Sequence, residues 1–414
     1  MTVALLKYYE RNQQKSQTKF MKTGYSIRTW RMRLVCPEPI WLDRTEEYFQ
    51  NVVEFYYHLL RQHEELWNSS LFDIQRSLEL LSLAGRDGRQ PTNPLPMGKV
   101  PVYLRRAAIN KASATVKSTQ ELQSGFPEKL EAKVTFFKGM YSDLTDRSIC
   151  LKLWNGEKWI WTDCNLKGRP LPQDGQLMSP TLVKEGRRYL LNIPVKQENS
   201  DARTAKERMA EGTNLCSVRF TNTDTFAVCC ILDEQGKQLA VHNCRGGDAY
   251  RHRCKLLETR IQKSRPNTVG DNSPQPNRKY YMHLKNLSEH YAHQVSREIL
   301  NFCKENQAGI IVLPDYDQNF TRMAMVKSGN FSPLHLSSKI RTNLQYKAWA
   351  EGILVLETRT DGLKDKCAIC GGKVRRKGNE FLCENGHQGN RFLNDARNLG
   401  RKCQDSFFRG SRTK

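Results

Sequence analysis

The 414-residue sequence contains no run of about 18 consecutive apolar residues, which excludes an ordinary membrane-crossing helix. Its opening stretch, MTVALLKYYERNQQ, has too short an apolar start for a cleavable export signal. Acidic residues are in deficit: 43 Asp and Glu stand against 66 Lys and Arg, for a net charge of +23. A deficit this large, spread along the chain, disfavours a small-molecule enzyme and fits a polyanionic partner. Regularly spaced cysteines are also few. Of the 13 cysteines, Cys36, Cys150, Cys164, Cys216, Cys229, Cys230, Cys244, Cys254, Cys303 and Cys403 show no ligand spacing. Several lie inside apolar runs, so they read as reduced core thiols of a cytoplasmic protein rather than as disulfides.

What is present is enough for two or three domains: an apolar fraction of 38% and abundant Trp, Tyr and Phe. Residues 1–24 read as a basic N-terminal arm. YSIRTWRMRLVC alternates like a strand, and DRTEEYFQNVVEFYYHLLRQHEELW carries apolar residues at helical spacing. A second helix is expected near Leu71–Ala84. After a Gly/Pro loop comes a basic helix that offers Arg105, Arg106 and Lys111 as nucleic-acid contacts; a solvated face is the alternative. From about Lys129 to Val195 the runs EAKVTFF, SICLKLW, KWIWTDCNL, TLVKEG and RRYLLNIPV are separated by turn residues, as in antiparallel sheet. The expectation is a β-barrel-like domain over 25–40 and 125–200, with helices inserted over 41–124.

Residues 201–213 read as a charged linker. Beyond it, LCSVRF, TFAVCCIL and QLAVHNC read as three antiparallel strands, followed by a helix and then strands alternating with helices. That order is the order of an RNase H-like α/β domain, expected over 214–362 and 391–414. Its first helix carries Arg251, Arg253, Lys255, Arg260 and Lys263, and the next opens with Arg278, Lys279, Tyr280 and Tyr281. Charge beside aromatic rings suits a nucleic-acid strand, with a solvated face and core tyrosines as the alternative.

Near the end stands CAICGGKVRRKGNEFLCENGHQGNRFLNDARNLG. Cys367 and Cys370 form a C-x2-C knuckle followed by two glycines; Cys383 and His387 follow at C-x3-H spacing. Three thiolates and an imidazole make a closed tetrahedral zinc site, structural because no position is left for water. The zinc ribbon is expected over 363–390. Its Lys373, Arg375, Arg376 and Lys377 either touch nucleic acid or solubilise a hairpin.

An RNase H-like domain interrupted near its end by a zinc ribbon, and preceded by a helix-bearing β-domain, resembles the transposon-encoded TnpB proteins and the miniature type V CRISPR effectors. VRFTNTDTFAVCCILDEQGK is similar to their first nuclease segment, AGIIVLPDYD to the second, and the ribbon with NDARN to the third. The resemblance implies an α+β multidomain chain. A wedge-like β-barrel with a helical recognition insertion precedes a RuvC-like domain carrying an inserted zinc ribbon. Their second metal pair is usually C-x2-C; here Gly386 takes the last cysteine position and His387 lies one residue on.

The resemblance also implies three acids, one per segment, which hold two divalent ions for phosphodiester hydrolysis. Matched residue by residue, those positions are Phe220, Pro314 and Phe392, none of which can bind a hard cation. The nearby acids are Asp224, Asp315 (with Asp317) and Asp395. The expected protein is therefore an RNA-guided DNA-binding protein of the bacterial cytoplasm that lacks RuvC cleavage and represses its target by holding an R-loop. Its partners would be a guide RNA and double-stranded target DNA, with a homodimer and a recruited protein left open. It would use structural zinc, and magnesium only if nuclease activity is retained. The alternatives are an active endonuclease using Asp224, Asp315 and Asp395, and a guide-independent DNA-binding transposon accessory.

Overall fold

The computed structural model describes residues 24–85, 87–122, 124–199, 201–264, 277–316 and 333–409. The arm expected at 1–24, apart from Gly24, and Asp317 lie outside them. Two compact units are present, one from Ile27 to Gln197 and one that joins the described residues before Ile27 to the chain from Glu198 onward.

In the first unit, strand β1 (Tyr25–Val35) buries Trp30, Met32 and Leu34 and exposes the residues between them. That period of two is why it lies on a core as a strand. Helices α1 (Pro39–Gln62), α2 (Leu71–Ser82) and α3 (Val102–Glu121) follow. Then come β2 (Tyr141–Ser142), β3 (Ser148–Trp154), β4 (Trp159–Lys167), β5 (Gln176–Leu177), β6 (Thr181–Glu185) and β7 (Arg188–Glu198). The sheet runs β2-β3-β4-β1-β7-β5, with β6 also on β7. It is a curled half-barrel: among the described residues β2 and β5 end the sheet unpaired with each other, so the barrel expected from the sequence does not close.

EAKVTFF supplies part of the reason. It runs beside β6 through the hydrogen bonds Leu182 N–H to Val134 O and Phe136 N–H to Pro180 O, with a single bridge at Thr135, and forms no ladder strand. Helix α1 buries Phe49, Val52, Val53, Tyr56 and Leu60, one stripe at three- and four-residue spacing. Thr45 ties its start to the sheet: its hydroxyl donates to Trp41 O at 2.6 Å and accepts from Trp154 N–H at 2.8 Å.

The segment expected to be a linker is not one. Helix α4 (Ala205–Ala210) occupies it, opened by a capping box in which Thr204 and Glu207 satisfy each other's backbone amides. The Thr204-x-x-Glu207 spacing was visible in the sequence, but the surrounding charge masked it. Arg208 of this helix is fully buried and donates to the carbonyls of Asp201 (2.8 Å), Gly309 (2.7 Å) and Gly352 (2.6 Å). Thr204→Ala is expected to lower stability by about 1 kcal/mol in denaturant unfolding, the usual loss for a missing N-cap.

The second unit continues with β8 (Leu215–Phe220), β9 (Ala227–Leu232), β10 (Gln238–Cys244), α5 (Gly247–Lys263), α6 (Arg278–Glu305), β11 (Ile310–Asp315), α7 (Ser337–Trp349) and β12 (Leu354–Arg359). It ends with β13 (Val374–Lys377), β14 (Glu380–Cys383), β15 (Gln388–Asn390) and α8 (Arg391–Arg409). The main sheet has the order β10-β9-β8-β11-β12. β8, β9 and β10 pair antiparallel, and β11 lies parallel to both β8 and β12, the mixed arrangement expected for an RNase H-like domain.

Alternation along the strands gives the sheet two apolar faces. Cys216, Val218, Phe220, Ile311 and Leu313 face a core with residues of α5, α6 and α7. Leu215, Ile310 and Val312 face Met209 of α4 and Ala396, Leu399 and Cys403 of α8. The three short strands β13-β14-β15 make a separate small sheet. No helix among the described residues is long and apolar enough to cross a membrane.

Candidate functional site

Cys367, Cys370, Cys383 and His387 come together, with their ligand atoms all within 4.8 Å of one another. Cys370 Sγ lies 3.7 Å from Cys383 Sγ, and Cys383 Sγ lies 3.4 Å from His387 Nδ1. Four ligands held tetrahedrally at about 2.3 Å for sulfur and 2.0 Å for nitrogen require ligand–ligand gaps of about 3.5–3.8 Å. The cluster therefore fits a zinc ion, and His387 takes the fourth corner. Backbone amides turn onto the sulfurs: Ile369 N–H donates to Cys367 Sγ at 3.4 Å and Asn385 N–H to Cys383 Sγ at 3.3 Å. The Cys370 thiol is drawn down to about 6, first by the Asn385 side-chain amide and then by the Gly372 amide, so it favours the thiolate that a metal takes.

The segment NDARN, at the start of α8, supports this cluster. Asn394 is buried; its Oδ1 accepts from Ala368 N–H at 2.7 Å, and its Nδ2 donates to Lys366 O at 2.9 Å. Asn398, one turn on, donates to Leu363 O and Lys366 O. Both asparagines thus fix the loop that carries the first cysteine pair.

Asp395 faces the main sheet. Its carboxylate is 3% exposed and is shared by two guanidiniums: Arg219 Nε of β8 at 3.3 Å and Arg376 of β13. Arg219 Nη1 also donates to Tyr316 Oη at 2.6 Å, just past the end of β11. Beside them Arg341 donates to Pro314 O at 2.7 Å and pairs with Glu357 at 3.3 Å. Burial pushes the Glu357 carboxyl up, against the pull of Arg341. The three segments singled out in the sequence therefore do meet, but arginines fill the meeting place.

The positions matched to catalytic acids are apolar and packed. Phe220 is 2% exposed and lies on the α6 face of the sheet with Phe226 and Tyr291, while its neighbour Arg219 points to the α8 side. Pro314 is buried in β11, and Phe392 is buried in the first turn of α8. The nearby acids are engaged separately. Asp224 caps α5, accepting from Gly247 N–H at 2.6 Å on its carbonyl and from Asp248 N–H at 3.1 Å on its carboxylate. This contact is close enough that a Cβ on Gly247 would sit 2.4 Å from Thr223 O, so only glycine fits. Asp315 ends β11 opposite Arg359. Among the described residues, Asp224, Asp315 and Asp395 form no cluster of the kind the cysteines form. Such a set of donors does not fit a pair of hard divalent ions, which need converging carboxylates.

The basic helices divide. On α3, Arg106 and Lys111 are exposed, but Arg105 is buried, pairing with Glu79 of α2 at 3.0 Å and donating to Val100 O at 3.3 Å. Its guanidinium joins two helices and is not part of the open basic face expected for it. On α5, Arg253, Lys255, Arg260 and Lys263 are exposed, and Arg251 is half-buried against Asp248 and Asn222 O. Arg253 and Arg260 line a groove of about 450 Å³ between α5 and α6, together with His283 and Asn286. Arg278, Lys279 and Tyr281 are exposed at the start of α6, and Tyr280 is half-buried.

The solved Cas12f1–sgRNA–target DNA complex contains a chain that superposes with a TM-score of 0.54 at 11% identity, covering 91% of this chain and 99% of that one. The mini-RNA-guided endonuclease CRISPR-Cas_phi3 superposes with a TM-score of 0.52 at 10% identity, covering 95% of this chain and 97% of that one. The chain shares the fold of type V CRISPR effectors. At these identities the likeness is one of fold alone. The Aq_aa04 family matches residues 26–155, within the first unit. No curated protein matches in sequence.

Sequence reasoning missed Arg219, Arg341 and Tyr316 as members of one site. The alternation Leu215, Ser217, Arg219 along β8 carried the signal for Arg219, since it places the arginine on the face opposite Phe220. A second grouping, His242, Cys244 and Glu298, was also not foreseen. There His242 Nε2 and Glu298 Oε1 already pair at 2.6 Å, above the buried Cys244.

Proposed function

We propose that the protein is an RNA-guided, sequence-specific DNA-binding protein that holds its target without cleaving it, and so represses or blocks the bound region. The observation that carries this reading is that Asp395, the acid beside Phe392 on α8, is buried in a bridge with Arg219 and Arg376, while Phe220, Pro314 and Phe392 are themselves apolar and packed. The shared fold supports RNA and DNA as partners, because the relatives in that fold are RNA-guided and one was solved with guide and target DNA. Charge supports it independently: an excess of +23 suits two polyanions held together. Base pairing would read the sequence, and the protein would hold backbone and recognise a short duplex flank. The Cys3His sheet would act as a zinc ribbon that pins α8, with zinc in a structural role. The exposed faces of α5 and α6 would carry backbone contacts.

The test is to isolate the protein at low salt from its native host and sequence whatever RNA accompanies it. The expected result is one structured RNA species ending in a segment complementary to a DNA site, and retention of that site by the complex in a gel-shift assay. Absence of RNA together with unaltered DNA binding would replace this reading by a guide-independent one.

A further inference from the structure

We propose that Arg219, Arg376 and Arg391 form an anion site that takes a single phosphate of a nucleic-acid strand, resting on the nucleic-acid reading above. Three guanidiniums from β8, β13 and α8 converge around one carboxylate. Arg219 and Arg376 share Asp395 between them. Arg391 has no ion pair among the described residues, and its Nε is buried without a hydrogen-bond partner. Its guanidinium carbon lies 4.6 Å above the Phe392 ring, a cation–π shelf that holds it in place. Burial disfavours its charge, and Arg376 and Arg219 repel it, with only Asp395 opposing them. One carboxylate against three guanidiniums leaves an excess of two positive charges in a partly desolvated place.

Such a site is incomplete without an anion. The buried Nε–H of Arg391 lacks an acceptor, which is costly, and a bound anion would supply one. A phosphodiester suits it best among common anions. It is singly charged, its two non-bridging oxygens accept from guanidinium forks, and arginine binds it bidentately. The site is reachable, because the side chains of Arg219 and Arg376 keep 14% and 21% of their surface in solvent. The backbone amides at the start of α8 are not the source of attraction: Asn390 Oδ1 already accepts from Phe392 N–H at 2.8 Å and Leu393 N–H at 3.1 Å. Phe392 therefore has a positive role here, as the platform for Arg391.

The experiment uses full-length protein stripped of nucleic acid at high salt and a fluorescein-labelled single-stranded DNA oligonucleotide as probe. Anisotropy gives Kd across a salt series for the wild type, Arg391→Gln and Arg391→Lys. Arg391→Gln leaves the Asp395 bridge intact, so the fold should persist, and circular dichroism checks it. The expected result is about fivefold weaker binding for Arg391→Gln, with the slope of log K against log salt reduced by about one. Arg391→Lys should keep the slope and recover only part of the affinity, because the charge returns without the fork. Binding by Arg391→Gln within twofold of wild type, with an unaltered slope, would overturn the site while leaving guided DNA binding untouched. A wild-type protein that fails to bind the probe at any salt would overturn both.

Discussion

Asp395→Asn is expected to lower stability by about 3 kcal/mol without changing any nuclease readout. The carboxylate is almost fully buried and neutralises two guanidiniums that are themselves mostly buried. Asparagine keeps the shape and removes the charge, which leaves two partly desolvated cations facing each other. Breaking one side of a buried pair typically costs about 3–5 kcal/mol, and the lower end applies because Arg376 keeps some contact with water. Denaturant unfolding measures it. The companion variant Arg376→Met should recover part of the loss when combined with Asp395→Asn, a coupling that a double-mutant cycle isolates. A catalytic aspartate would behave in the opposite way: its amide would be nearly neutral for stability and would abolish metal-dependent cleavage.

Cys383→Ser is expected to remove zinc from the purified protein and to open the small sheet. The apolar core of that sheet is Cys367, Phe381 and Cys383 with Val374 packed on them, far too little to hold three short strands alone. Structural zinc supplies on the order of 10 kcal/mol of apparent binding free energy in comparably small folds, which here becomes folding free energy for the sheet. Elemental analysis should fall from about one zinc per chain to none, the occupancy of a single closed site. Hydrogen exchange over residues 363–390 should lose its protection. The start of α8 should loosen with it, because Asn394 and Asn398 bond the loop that carries Cys367. Retention of zinc after this change would mean that Cys383 is not a ligand. His387→Ala separates a four-ligand site from a three-ligand one, since only the former loses affinity.

The order of elements along the second unit could be read from sequence because its strands are apolar runs and its helices have clear stripes. The zinc cluster could be read because ligand spacing is local. Two kinds of feature could not. The half-barrel depends on which strand ends meet, and no periodicity reports that: EAKVTFF has a strand's alternation yet lies beside β6 without a ladder. The arginine site is assembled from residues far apart in the chain, Arg219, Arg376 and Arg391, and each alone reads as ordinary basic surface. Arg105 and Arg208 teach the same lesson from the other side. A charge in a basic stretch looks solvated until packing shows it bonded to backbone carbonyls. NDARN resembles part of a nuclease segment, but its role in the fold is different. Its asparagines brace a metal loop, and its aspartate neutralises arginines.

The central claim is tested most directly by one assay. The protein is reconstituted with its own guide RNA and a matched DNA duplex, with excess Mg²⁺ or Mn²⁺, and both strands are followed on a denaturing gel while occupancy is followed by footprinting. The account predicts a stable footprint over the paired site with both strands intact. Metal-dependent cleavage of either strand that disappears in Asp395→Asn would contradict it.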